Sequence, residues 1–402
     1  MEYKRLRDVA ISTQYGYTSE ETSFTEGKYK YLRITDIVPY YVDFEKVPYC
    51  TIPETKVNQY LVKEGDILVA RTGATTGYNY VVGKDVENTV FASYLIRFIV
   101  DDKLVLPTYL KYILKSQMYY GFVKNYIGGS AQPGMNAKVF GRFNFPLPSL
   151  PLQRRIASIL SSYDNLIELN TRRIKLLEQM AENLYKEWFV RFRFPGYEKV
   201  EMENGLPKGW KKGQLGEIVE FLNGFAFKSE NFVDDAQYKV VTIKNVQDGH
   251  FEGNNVDYIA EIPKRMPSYC ILQEGDILLS LTGNVGRVCI VNGNDYLLNQ
   301  RVAKLKSSTP HFTYCLFRTD TIFNTLNSIA YGTAQLNLSP IKAAQLKILI
   351  PTEELRRKFD AIVTPLFSEI AALQSHSANL TRQRDLLLPR LMSGQLTPLS
   401  NL

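Results

Sequence analysis

The sequence predicts an α+β protein with two mostly β globular domains, related by a pseudo-two-fold axis and separated by a pair of long antiparallel coiled-coil helices. Three observations predict this. The chain repeats itself once, each copy carries short apolar runs punctuated by Gly, Asn and Asp, and each copy closes on a seven-residue apolar seam.

The repeat is legible in four matched segments that occur in the same order. Tyr31 to Ile37 is answered by Lys239 to Val246, and Glu64-Gly65-Asp66-Ile67-Leu68 by Glu274-Gly275-Asp276-Ile277-Leu278. Gly129-Ser130-Ala131-Gln132 is answered by Gly332-Thr333-Ala334-Gln335, with Asn136 and Asn337 following. Arg154-Arg155 and Arg356-Arg357 then open the long helical patterns. Inside each copy Ile67 to Ala70, Tyr80 to Val82, Ile277 to Leu281 and Val288 to Val291 read as strands. One local helix is expected late in each, over Pro107 to Tyr120 and about Phe312 to Ile329, Pro107 suiting a first helical position.

The seams step by three and four. In the first, Leu160, Tyr163, Ile167, Ile174, Leu177, Ala181, Leu184 and Trp188 are interrupted by Asn170. In the second, Phe359, Val363, Leu366, Ile370, Leu373, Leu380, Leu387 and Leu391 are interrupted by Ser377 and Arg384. A helix from Leu160 to Trp188 extends about 42 Å, too long for one small domain to cover, so the two seams are expected to cover each other. Asn170 can fix their register. The resulting boundaries are 1–150 for the first domain, 151–194 for the first helical spacer, 195–352 for the second domain and 353–402 for the second spacer.

Composition excludes several classes of function. With 402 residues, 45% hydrophobic and 22% charged, the chain is an ordinary globular one. Four scattered cysteines, without a C-x-x-C pair, indicate neither a disulfide framework nor zinc, and a reducing cytoplasm fits them. No signal peptide or membrane-length apolar run is present, so a soluble, cytoplasmic protein is expected. There is no P-loop, no G-x-G-x-x-G after a strand, no G-x-S-x-G, and no Asn-Pro-Pro-[Tyr/Phe] tetrapeptide of an amino-methyltransferase. The three histidines lack catalytic company, so no catalytic residue, no metal and no bound cofactor are expected. Asp66 and Asp276, each after Glu-Gly, read as turn-capping residues.

A net charge of +7 suits a polyanion without requiring one. The Gly-rich loops after the matched strands carry the types that contact DNA. They hold Arg71, Thr72, Thr75, Thr76, Tyr78 and Asn79 in one copy, and Thr282, Asn284 and Arg287 in the other. Arg reaches phosphate or the O6 and N7 acceptors of guanine, and Asn suits adenine. A hairpin needing Gly at positive φ explains the glycines equally well, though not the Arg, Thr and Asn beside them. A second set pairs Ser130, Gln132, Asn136 and Lys138 with Thr333, Gln335, Asn337 and Lys342, where amide contact to adenine and turn capping both stay open. Arg33, Lys244 and Asn245 are weaker candidates from the first matched segment.

Several strings taken together resemble the specificity subunit of type I restriction-modification systems over nearly the whole chain. They are Leu150-Pro151-Leu152-Gln153-Arg154-Arg155-Ile156, Asn170-Thr171-Arg172-Arg173-Ile174, Leu206-Pro207-Lys208-Gly209-Trp210, and Arg384-Asp385-Leu386-Leu387-Leu388-Pro389-Arg390-Leu391. The first domain lacks the Pro-Lys-Gly-Trp lead-in of the second. The resemblance implies a non-catalytic subunit whose two target-recognition domains each read one half of a bipartite asymmetric sequence in double-stranded DNA. It implies helices that set the half-site spacing and dock two methyltransferase subunits, with S-adenosylmethionine on those partners for adenine N6 methylation. Restriction subunits using ATP and Mg2+ would join for cleavage. Helix pairing and docking are expected at Ile167, Asn170, Ile174, Leu177, Leu184, Tyr185, Trp188, Leu373, Leu380, Leu387 and Leu391, with Tyr185, Trp188 and Phe189 as an exposed aromatic remainder. A competing class, a stand-alone DNA-binding regulator or protein-protein scaffold, would need only self-pairing of the helices.

Overall fold

A computed structural model describes residues 2–22, 27–38, 42–84, 86–127, 134–332 and 336–396. The chain divides into two compact units, one built from 1–168 with 379–402 and the other from 169–378.

In the first unit a four-stranded antiparallel sheet runs in the order Ala10–Tyr15, Leu95–Val100, Ile67–Ala70, Asn79–Val81. Beside it, Tyr29–Leu32 pairs antiparallel with Tyr49–Cys50 and parallel with Thr89–Phe91. Glu2–Arg5 pairs with Asn144–Leu147. All four residues of Ile67–Ala70 are buried. Because successive side chains point to opposite faces, Ile67 and Val69 enter one apolar cluster while Leu68 and Ala70 enter another. The central strand therefore welds two cores, which explains its unbroken apolar run.

The second unit builds the same plan again. Its four-stranded sheet has the order Glu220–Asn223, Val302–Lys306, Ile277–Ser280, Val288–Ile290. The parallel pair is now Tyr238–Val241 with Tyr296–Leu298, in a five-stranded sheet, and Lys211–Gln214 pairs with Lys347–Ile350. Ile277 and Leu279 enter one cluster and Leu278 another, as their counterparts do.

The single late helix expected in each copy is instead two helices, Pro107–Ile113 with Gln117–Ile127, and Pro310–Phe317 with Asp320–Ile329. A hydroxyl makes each break. Ser116 Oγ accepts the amide of Tyr119 at 3.3 Å, and Thr319 Oγ1 accepts that of Ile322 at 3.4 Å, each ending one helix and capping the next.

The two long helices are Leu150–Tyr185 and Glu353–Met392. Within the first unit Asp164 meets Arg384, and Ile156 and Leu160 share a cluster with Leu391 and Met392. Within the second, Asn170 Nδ2 donates to Ser377 Oγ at 3.1 Å and lies 3.3 Å from His376 Nδ1, while Arg173 pairs with Glu369 at 3.0 Å. Partner numbers fall as numbers rise, so the helices run antiparallel. Among the described residues no helix is long and apolar enough to cross a membrane.

Candidate nucleic-acid interface

In the first unit three chain segments meet at the end of strand Ile67–Ala70. The amide of Arg71 donates to Tyr94 O at 3.1 Å, the amide of Met135 donates to Arg71 O at 2.9 Å, and Thr72 bridges Gly134. The turn at Ala92–Tyr94 is held by the end of the neighbouring strand, since Ser93 N donates to Tyr17 O at 2.9 Å. Gly16 permits this approach, because a Cβ there would stand 2.2 Å from the Ala92 carbonyl oxygen.

Arg71 is held firmly at this junction. Its Nε donates to Ser93 O at 3.0 Å, and its guanidinium lies 5.2 Å from the Tyr15 ring centroid and 5.8 Å from that of Tyr94. Each cation–π contact at such a site contributes roughly 0.5–1 kcal/mol. Both tyrosines are exposed, by 43% and 58%. Tyr78, farther along the loop, is also exposed and meets Tyr120 edge-on at 6.3 Å.

The second unit repeats the junction bond for bond. Leu281 N donates to Arg301 O at 3.0 Å, Leu338 N donates to Leu281 O at 2.8 Å, and Thr282 bridges Asn337. Gln300 N donates to Phe225 O at 2.9 Å, and a Cβ on Gly224 would stand 2.1 Å from the Asn299 carbonyl oxygen. Thr282, Gln300, Arg301, Leu336 and Asn337 line a cleft of about 360 Å³ here. Arg287 is fixed nearby through Gln247 Oε1, which accepts from its Nη1 at 2.6 Å, and Asn284 is exposed.

Several candidates prove to be fixtures of the fold. Asn79 is buried because its amide donates to Gly77 O and Leu114 O, clasping a helix end to the loop. Thr76 is buried with its hydroxyl on Gly73 O. Asn245 is fully buried: its Oδ1 accepts from Thr242 N, and its Nδ2 donates to Glu252 O and Asn255 O. Arg33 is committed to Asp36 and Glu21, which neutralise its charge. Asn136 and Asn337 are not equivalent. Asn136 caps the helix Ala137–Phe140, and the matching cap on Pro340–Ala344 is Ser339; Asn337 occupies the place of Gly134. Lys138 and Lys244 are exposed, Thr75 is partly so, and Lys342 Nζ stands 5.5 Å from the Tyr331 ring centroid. Ser130, Gln132, Thr333 and Gln335 lie outside the described residues.

On the long helices Ile167, Leu373, Leu380 and Leu391 are buried, while Ile174, Leu177, Leu184 and Leu387 are partly buried against the two main clusters. The aromatic remainder expected to be exposed is buried. Tyr185, Trp188 and Phe189 lie in the core of the second unit against Phe312 and Phe359, Trp188 and Phe189 within a wider π-type turn at Lys186–Val190. Trp210, from the Pro-Lys-Gly-Trp string, packs on Phe189, Phe192 and Phe194. The exposed apolar residues of the first long helix are instead Leu166, Leu169, Leu176 and Met180.

Sequence reasoning missed Tyr15, Ser93, Tyr94, Gln300 and Arg301. The signal was available in the repeat, since Phe91-Ala92-Ser93-Tyr94-Leu95 corresponds to Leu298-Asn299-Gln300-Arg301-Val302 once the strands are matched. Among the described residues no group of three or more His, Cys, Asp or Glu is placed to hold a metal ion.

A family model described as the type I restriction modification DNA specificity domain matches residues 1–179 and again 207–379. The chain is similar to the type I restriction enzyme MjaIX specificity subunit of Methanocaldococcus jannaschii, with 27% identity over 87% of this chain and 83% of that one. It is also similar to the type I restriction enzyme HindI specificity subunit of Haemophilus influenzae, with 22% identity over 83% of this chain and 87% of that one. Among solved structures, the type I restriction-modification system S subunit from M. genitalium covers 97% of this chain, and 96% of its own, at 17% identity and a TM-score of 0.58. At that identity the likeness speaks for the fold.

Proposed function

From the premise that this chain belongs to the type I restriction modification DNA specificity family, we propose that each of its two domains reads one half of a bipartite asymmetric DNA target. The chain is the DNA sequence-specificity subunit of such a system and is non-catalytic. The observation that carries the two-half reading is the junction built twice, with the same backbone bonds and different exposed side chains. One frame repeated with altered side chains suits a protein that reads two different short sequences.

The long helices set the distance between the half-sites. The first has 36 residues, about 54 Å at 1.5 Å per residue, against ~34 Å for one turn of DNA. They also dock two methyltransferase subunits, and the exposed Leu169, Leu176 and Met180 of the second unit, spaced along one helix face, support that role. Those partners carry S-adenosylmethionine and methylate adenine N6, while restriction subunits supply ATP- and Mg2+-dependent cleavage. The assembly works on double-stranded DNA in the cytoplasm.

Co-expression with a cognate methyltransferase subunit, followed by genome-wide mapping of methylated adenines, tests the proposal. The expected result is one new motif of two short defined blocks with a fixed gap. A contiguous motif, or no methylation from an assembled complex, overturns it and favours a regulator or scaffold.

A further inference from the structure

The twice-built junction permits a comparison within the one molecule. Backbone bonds fix its shape in both domains, and three pairs of positions keep their chemistry: Gly16 and Gly224, Thr72 and Thr282, Met135 and Leu338. Five other positions, joined to the frame through the same backbone bonds or pairing, have diverged. Tyr15 corresponds to Asn223, Arg71 to Leu281, Ser93 to Gln300, Tyr94 to Arg301, and Gly134 to Asn337.

Each junction carries one arginine, and the two occupy different corners. In the first domain it is Arg71, with Leu281 at the matching place. In the second it is the exposed Arg301, where the first domain has Tyr94. The Arg71 guanidinium is pre-oriented by two rings and one carbonyl, and among the described residues no protein acceptor is bonded to its Nη1 or Nη2. A planar fork of donors held in one pose matches the O6 and N7 acceptors of guanine in the major groove. In the second domain Arg301 shares its cleft with Gln300, whose amide matches the N6 and N7 pattern of adenine.

We propose that these junctions are the base-reading centres of the two domains, with Arg71 reading a guanine in one half-site and Arg301, beside Gln300, reading a guanine next to an adenine in the other. Tyr15 and Tyr94 are positioning residues that hold the Arg71 fork. The inference rests on the specificity-subunit reading above and deepens it to single residues.

The test uses the complex assembled with its methyltransferase subunits, acting on duplexes that carry the wild-type motif and every single-base change in each half. Arg71→Lys and Arg71→Ala should each lower discrimination at one guanine by roughly 5- to 150-fold in one half-site and leave the other half-site unchanged. Arg301→Lys and Arg301→Ala should do the same in the opposite half. Tyr94→Leu, which keeps the Arg71 charge and removes one clamp, should weaken discrimination at the Arg71 guanine alone. Full activity in the lysine variants would make these residues phosphate contacts and overturn the proposal. So would unchanged methylation in the alanine variants, or equal loss across unrelated sequences. A wild-type complex that methylates no bipartite motif would remove the function reading itself, an outcome separable from the others because it appears before any substitution is made.

Discussion

Replacing Asp164 should loosen the first unit far more than a surface ion pair would. The carboxylate is 2% exposed and accepts from Lys111 Nζ at 2.7 Å, Tyr112 OH at 2.8 Å and Arg384 Nη1 at 3.0 Å. Arg384 is itself nearly buried. In Asp164→Ala the Lys111 ammonium and the Tyr112 hydroxyl lose this acceptor, and Arg384, with little access to water, loses it too and keeps Asp385; removing one partner of a buried pair of this kind costs about 3–5 kcal/mol. At about 1.4 kcal/mol per factor of ten, opening should become roughly 10²- to 4 × 10³-fold more frequent. Amide hydrogen exchange reads this directly. The amides of the helices Pro107–Ile113, from Thr108 onward, and Gln117–Ile127 should lose two or more decades of protection, while those of the second unit keep theirs. Glu354→Ala, which removes an exposed partner of Lys358, should change protection by less than about threefold. Equal, small effects from both substitutions would refute the reasoning.

Other outcomes follow from the same structure. Burial pushes the Glu178 carboxyl up to about 7 from its usual 4.5, so between those values the folded protein holds a proton that the unfolded chain has released. Stability should therefore fall as pH rises from about 4.5 to 7, and Glu178→Gln should flatten that dependence and raise the melting temperature above pH 7. A variant less stable than wild type at pH 8 would count against this. All four cysteines are buried, and burial raises the thiols of Cys50 (to about 11), Cys270, Cys289 and Cys315. A thiol reagent should label none before denaturation, whereas rapid labelling of the native protein would contradict the packing. Gly224→Ala places a methyl group 2.1 Å from a backbone oxygen. It should cost about 1–3 kcal/mol and blur only the half-site read by the second domain, with circular dichroism and methylation mapping as the measurements.

The sequence made the architecture legible because repeat and seam are local patterns. Heptad spacing reports which helix face is apolar, and matched segments report that a fold is built twice. It did not show that Tyr185, Trp188 and Phe189 would be buried, because the rings that cover them, Phe312 and Phe359, are distant in the chain. It misread Asn79 and Asn245, whose amides look like surface chemistry and in fact satisfy carbonyls inside loops. The helix breaks at Ser116 and Thr319 escaped because a single hydroxyl cap sits inside a continuous apolar pattern. Of the junction, Arg71 and Thr282 were visible from their place after a matched strand. Tyr15, Tyr94 and Arg301 were not, since the bonds that gather them join residues distant in the chain.

The first unit's composition, 1–168 with 379–402, has a consequence during synthesis. Asp164 and Arg384 are 220 residues apart, and a ribosome adding roughly 5–20 residues per second needs about ten to forty seconds to bridge that interval. The second unit, contiguous in the chain, is complete before the first receives Leu387, Leu391 and Met392. Throughout that interval Ile156 and Leu160 lack those neighbours, so the earliest-made domain is the last to be sealed and has the longest exposure to chaperones and proteases. A premature stop late in the message would accordingly damage the domain translated first.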